Sequence, residues 1–250
     1  SPIPPEVKCW FPVPEPGQVN FEAKIRPERI KIPELAVDNL KGYVRKTLQE
    51  ISGYSKPELD GVVIGLSGGI DSTATAALCK EALSGTRHFV RGLIMGRAPE
   101  GQQGSMNAVE YQDVMFAIQS ARDMGVDYEY VDISPLVDAV HQVFPKSQPW
   151  ELSGILPRLR ASLLYQAADN NNAICAGTTN GTEFILAAFS VGGPAGHFQP
   201  FVDFYKSEVY KIAVMLRVPD YIINRRPGIS ELGIYDEQLY GASCYVLDPI

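Results

Sequence analysis

Apolar residues recur at helical spacing through LAVDNLKGYVRKTLQEI, at Leu35, Leu40, Val44, Leu48 and Ile51, which predicts an amphipathic helix. The uncharged run GVVIGL at 61–66 then predicts a buried strand. STATAALCKEAL at 72–83 predicts a helix beginning near Ser72 and closed near Gly85, and FVRGLIM at 89–95 a second strand. SMNAVEYQDVMFAIQSARDMG at 105–125 predicts a long helix with Ser105 as N-cap and Gly125 as stop. VDYEYVDI alternates as a strand, and SPLVDAVHQVF opens a helix with Ser before Pro. PRLRASLLYQAADN at 157–170 and AICAGT at 173–178 add one more helix and strand. The order βαβαβα predicts an α/β fold, a doubly wound parallel sheet with helices on both faces. No internal repeat or heptad run interrupts it.

The first 34 residues break this pattern. They hold eight of the 19 prolines, which excludes a regular helix and predicts an extended, proline-rich N-terminal arm ahead of one domain at 35–250. Trp10, Phe11 and Phe21 in the arm are free to pack on the body or on a partner subunit.

Composition narrows the partners. A net charge of −7 and a pI near 5.1 argue against a broad footprint for nucleic acid or anionic membrane and favour small solutes. Cys9, Cys79, Cys175 and Cys244 lie far apart with no metal-ligand spacing, which fits a reducing cytoplasm. No signal peptide is visible, and no apolar run approaches the roughly 20 residues that span a bilayer.

The chemistry concentrates where the first strand ends, in GLSGGIDSTAT at 65–75. Ligands of such sheets sit outside the strands' carboxyl ends, where a glycine-rich turn meets a helix N-terminus. There Ser67, Gly68 and Gly69 can aim backbone N–H groups at one anion, aided by the dipole of the helix that follows with Ser72. The turn lacks the lysine of a GxxxxGK[ST] loop and does not fit GxGxxG, which weakens kinase and dehydrogenase readings. Asp71 inside an anion cradle makes sense if Mg²⁺ bridges it to phosphate oxygens.

SGGIDS resembles the SGGxDS signature of the PP-loop ATP pyrophosphatases, whose loop holds the pyrophosphate part of ATP while a substrate oxygen attacks the α-phosphorus. Within that superfamily, PRLRASLLYQAADNNNAICAGTTNGTE resembles the NAD synthetase segment in which an Arg-x-Arg helix leads to a strand and then Gly-Thr-x-x-x-x-Glu. Arg158 and Arg160 fill the pair, and Gly177, Thr178 and Glu183 the second part. QPFVDFYKSEVYK resembles the family's proline, then lysine, then helix arrangement, with Lys206 at the lysine position, and ISELGIYDEQLYG resembles its Glu-Leu-Gly segment. Together these span roughly 36–241. The resemblance implies ATP as co-substrate bound by Ser67, Gly68, Gly69, Asp71, Ser72, Arg158 and Thr178. It also implies Mg²⁺ on Asp71 and Glu183, and Lys206 at the reacting phosphates.

One loop departs from the family. Where it usually reads Thr-Lys-x-Gly-Asp-x-Gly-Ala-Asp, this chain has SVGGPAGH, with Val191 near the lysine, Gly193 or Pro194 near the first aspartate and His197 near the second. The first aspartate is associated with handling ammonia; His197 is either a substitute base or hydrogen-bonding group, or an ordinary loop residue. A second loop, RRPGISELG, is shortened. The expectation is an ATP-dependent amide-forming ligase of the NAD synthetase type that adenylates a carboxylate, deamido-NAD by resemblance, and passes it to ammonia or an amine. Two alternatives are a ligase for another acid or amine, and a nucleotide-binding homologue without turnover. No glutaminase domain is discernible, so nitrogen arrives as free ammonia or from a separate glutaminase, and the family resemblance implies a homodimer.

Overall fold

A computed structural model describes residues 30–54, 58–97, 108–146, 149–189, 191–193, 196–226, 228–229, 234–235 and 243–248. Most of the proline-rich arm, Ser105 and most of the Glu-Leu-Gly segment lie outside the described residues. Four parallel strands form the sheet: β1 (Gly61–Gly65), β2 (Phe89–Gly96), β3 (Asp127–Asp132) and β4 (Ala173–Ala176), in the order β3-β2-β1-β4. Val62 faces Val90 on one side and Ile174 on the other, so β1 is central and its register is fixed by neighbours on both edges. Alternate side chains enter separate cores, as the two-residue period of a strand requires. Val62, Ile64, Ile94, Ile174 and Ala176 pack on one face, Val63, Leu93, Ala173 and Cys175 on the other. Because both faces are covered, β1 and β4 read as unbroken apolar runs.

The first face carries α1 (Leu35–Tyr54), α2 (Ile70–Leu83) and α3 (Ala108–Met124), together with α7 (Lys206–Met215) and α8 (Asp220–Ile223). The second carries α4 (Ser134–Val143) and α5 (Pro149–Asn170). A short α6 (Gly181–Ile185) follows β4; a two-residue antiparallel pair, β5 (Gly228–Ile229) with β6 (Ile234–Tyr235), and α9 (Cys244–Leu247) complete the described elements.

Helix α2 lies between α1 and α7 and is buried almost all round. Its polar residues stay in the core because their hydroxyls return to the helix backbone, Thr73 Oγ1 donating to Gly69 O at 2.8 Å and Thr75 Oγ1 to Asp71 O at 2.8 Å. Gly85 and Gly125 take positive φ, +74° and +62°, and close α2 and α3 as expected.

Two boundaries differ from the sequence expectation. Helix α2 starts at Ile70 with Gly69 as N-cap, not near Ser72, which places Asp71 in its first turn. Helix α4 opens at Ser134 with Pro135 in its first turn, as expected; Ile133 is its N-cap residue and the Asp132 carboxylate accepts from Ser134 N at 2.9 Å. Helix α5 begins at Pro149 and runs through Pro157, so that proline is interior and not a start. Among the described residues no helix is long and apolar enough to cross a membrane.

Candidate active site

From β1 the chain runs to β2 and β3 on one side, while β4 returns on the other. The carboxyl ends of β1 and β4 therefore flank the switch point at which α/β sheets bind ligands. A cleft of about 460 Å³ opens there, lined by residues of the turn after β1, by Gly96 at the end of β2 and by Thr178 and Thr179 after β4.

The turn from Ser67 to Ser72 is tied by its two serines. Ser72 Oγ accepts from Ser67 N at 3.2 Å, lies 3.1 Å from Ser67 Oγ and donates to Gly69 O at 3.1 Å, while Ser67 Oγ accepts from Gly69 N at 3.3 Å. The adjacent glycines do different jobs. Gly68 is buried with φ +78°, and a Cβ on it would lie 2.4 Å from Asp113 O in α3. Gly69 lines the cleft with ordinary φ −88°, and a Cβ there would meet only Ser67 Oγ at 3.4 Å. Gly69 thus leaves room for a ligand, while Gly68 lets α3 close on the turn. Gly68 is not among the cleft-lining residues, in contrast to its expected place beside Gly69 on the phosphate.

Asp71, Glu183 and Lys206 converge beside this turn. Lys206 begins α7 and is buried, its Nζ paired with Asp71 Oδ2 and 3.8 Å from Glu183 Oε1. Asp71 Oδ1 accepts from Asn180 Nδ2 at 2.9 Å. Glu183 forms the capping box of α6 with Asn180, its Oε2 accepting from Asn180 N at 3.3 Å while Asn180 Oδ1 accepts from Glu183 N at 3.0 Å. One ammonium thus faces two carboxylates from separate elements. Among the described residues no three His, Cys, Asp or Glu side chains gather as a metal cage. A pair of carboxylates with phosphate and water completing the shell suits Mg²⁺, so Asp71 and Glu183 fit the ion expected of them.

Of the arginine pair, Arg160 lines the cleft and Arg158 does not. Arg158 is exposed and donates through Nε to Val191 O at 2.7 Å, pinning the altered loop. Two residues along a helix point in roughly opposite directions, so both could not face one ligand. His197 also stays outside the cleft lining. Its backbone N donates to Cys175 O at 2.8 Å and its Nδ1 accepts from Cys175 N at 3.0 Å, closing the free edge of β4, with the ring set edge-on to Tyr165. These bonds fasten His197 to the sheet edge as a structural residue of the loop. Gly193, which has no side chain, lines the cleft from the same loop.

Sequence reasoning missed several groups. Asn180 was signalled by the Asn-x-x-Glu spacing of a capping box. Arg225 carried no local signal: its Nη1 donates to Gly68 O at 2.9 Å, its Nη2 pairs with Asp113, and its guanidinium lies 4.8 Å from the Phe116 ring centroid. Glu110, paired with Arg97, also lines the cleft.

Such a sheet, with a glycine turn, two carboxylates and a lysine at its switch point, defines a nucleotide-binding α/β enzyme of the ATP-pyrophosphatase class. The NAD synthase family model matches residues 36–250. Over 219 residues the chain is 36% identical to an NH₃-dependent NAD⁺ synthetase of Thermococcus kodakarensis, covering 86% of this chain and 78% of that one. Among solved structures, an NH₃-dependent NAD synthetase from Campylobacter jejuni, in complex with nitrate, aligns with a TM-score of 0.61 at 29% identity over 75% of this chain and 76% of that one. An NMN synthetase from Francisella tularensis has the same fold, with a TM-score of 0.72 at 24% identity over 86% and 84% of the two chains. The chain belongs to the NAD synthase family and is an ATP-dependent ligase.

Proposed function

We propose that this ligase amidates deamido-NAD with ammonia through an acyl adenylate. The observation that carries the reading is the convergence of Asp71, Glu183 and Lys206 beside the Ser67–Ser72 turn. In the first step a carboxylate oxygen of the substrate bonds to the α-phosphorus of ATP as the bond to the β-phosphate bridging oxygen breaks, and pyrophosphate leaves. In the second, nitrogen attacks the acyl carbon and AMP leaves. The Lys206 ammonium and the donors of the turn, Ser67, Gly69 and Ser72, face the charge that develops on the departing pyrophosphate, where preorganised donors act most strongly. Arg160, Thr178 and Thr179 line the cleft available to the nucleotide. Mg²⁺ held by Asp71 and Glu183 would neutralise polyphosphate charge. The nitrogen donor in this reading is ammonia, free or from a separate glutaminase, and the assembly is a homodimer.

A second reading, a different acid or amine, is favoured by the altered loop: Val191 is 78% exposed and Gly193 brings no acid into the cleft. The deciding experiment follows NAD, AMP and pyrophosphate from deamido-NAD, ammonium and Mg-ATP. AMP and pyrophosphate in equal amounts with kcat/KM above about 10⁴ M⁻¹s⁻¹ support the first reading. Values on the order of 100-fold lower, with another acid or amine outperforming the pair, support the second. ADP with orthophosphate overturns both, and tight ATP binding without pyrophosphate release identifies a binding homologue without turnover.

A further inference from the structure

Asp248 is a buried carboxylate near the far end of the chain, 4% exposed, that plays no part in the chemistry above. Its two oxygens close the N-terminus of α7. Oδ2 accepts from Ser207 N at 2.8 Å, and Oδ1 accepts from the Thr182 hydroxyl, whose oxygen in turn accepts from Lys206 N at 2.8 Å. The first amides of a helix have no partners within it, so these bonds satisfy two donors that would otherwise be buried and orphaned. Negative charge is favoured at that helix end. Thr182 belongs to α6, next to Glu183; Gly181 N also donates to Phe204 O at 2.7 Å just before α7. The carboxylate therefore clamps together the two elements that carry Glu183 and Lys206.

We infer that Asp248 is a positioning residue: through Thr182 and Ser207 it fixes the backbone of Lys206, and so sets the ammonium against Asp71 and Glu183. Displacing that backbone by about 1 Å costs on the order of 10 to 100-fold in rate. The inference rests on the reading of Lys206 as the group facing the leaving pyrophosphate.

The test uses the full chain and compares Asp248→Ala, Asp248→Asn and Lys206→Ala with the double variant of Asp248→Ala and Lys206→Ala, in the deamido-NAD and ammonium assay, with rates referred to the folded fraction. Asp248→Ala should lower kcat on the order of 10 to 100-fold with KM for ATP within about threefold. Asp248→Asn, which keeps an acceptor for Ser207 N, should recover part of the loss and serves alone if the alanine variant does not fold. With Lys206 already removed, losing Asp248 should add less than about twofold, since residues acting as a unit are not additive. Unchanged kcat in both Asp248 variants, or a full additional loss in the double variant, overturns the inference. A separate readout, the ¹³Cε signal of Lys206 in lysine-labelled protein, assigned by its disappearance in Lys206→Ala, should shift in the Asp248 variants. If Lys206→Ala retains turnover, the functional reading fails and this signal decides the positioning role by itself: a shift sustains it, and an unmoved signal overturns it.

Discussion

Substituting alanine at each of the two adjacent glycines separates packing from ligand access. In Gly68→Ala the new methyl lies 2.4 Å from Asp113 O, 3.1 Å from Ala117 N and 3.1 Å from Phe116 Cβ, at a residue whose φ is +78°. Ordinary contact begins near 3.4 Å, so the α3 backbone or the turn must move by about 1 Å. The left-handed backbone costs about 1 to 2 kcal/mol for alanine. Overpacking against rigid backbone adds about 1 to 3 kcal/mol. The sum, about 2 to 5 kcal/mol, lowers Tm by roughly 4 to 20 °C in a domain of this size. Gly69→Ala meets only Ser67 Oγ at 3.4 Å with φ already negative, so its Tm should stay within about 2 °C of the parent. Its methyl borders the cleft where the ligand must approach, and ATP affinity should fall at least tenfold. Thermal unfolding by circular dichroism and ATP titration calorimetry on both variants give the four numbers. A Gly69→Ala protein as unstable as Gly68→Ala, or a Gly68→Ala protein with the parent's Tm, refutes the division of labour.

Asp71→Asn should leave the chain folded and lower kcat by on the order of 100-fold or more, with no rescue across a magnesium titration; equal activity of variant and parent removes Asp71 from the metal assignment. Arg160→Ala should raise KM for ATP well beyond Arg158→Ala, which loses the tie to Val191 O, and the reverse order in steady-state kinetics would return Arg158 to the nucleotide. Burial pushes the Cys79 thiol up to about 12, and burial with nearby Asp169 does the same for Cys175. Unfolded cysteines lose their proton near pH 8.5 while these keep it, so the unfolded state binds fewer protons and stability falls as pH rises from about 8.5 toward 12. Iodoacetamide at pH 9 should label these two thiols only on unfolding, and labelling of the native protein at the rate of a free cysteine would refute the burial argument.

Much of the fold was legible because it is written in short periods. The runs GVVIGL, FVRGLIM and AICAGT are strands buried on both faces, and the glycines at 85 and 125 close helices where local geometry demands positive φ. The SGGIDS turn and the acid three residues after Asn180 were equally local, and so were found or findable. Helix α2 is the instructive case: STATAALCKEAL has no polar stripe, because its hydroxyls bond to its own backbone and the helix is covered on nearly all sides. Only the tertiary structure decided which of Arg158 and Arg160 faces the cleft, that Gly68 serves packing while Gly69 serves access, and that His197 is fastened to the edge of β4. It made the pairing of Lys206 with Asp71 across 135 positions, which the family resemblance had placed at one site, and it alone brought Arg225 to Gly68 across 157 and Asp248 to Thr182 across 66. Sequence patterns encode the direction each side chain takes relative to its own element. Which distant elements meet depends on strand order and on the close packing that a parallel sheet forces on the helices either side of it.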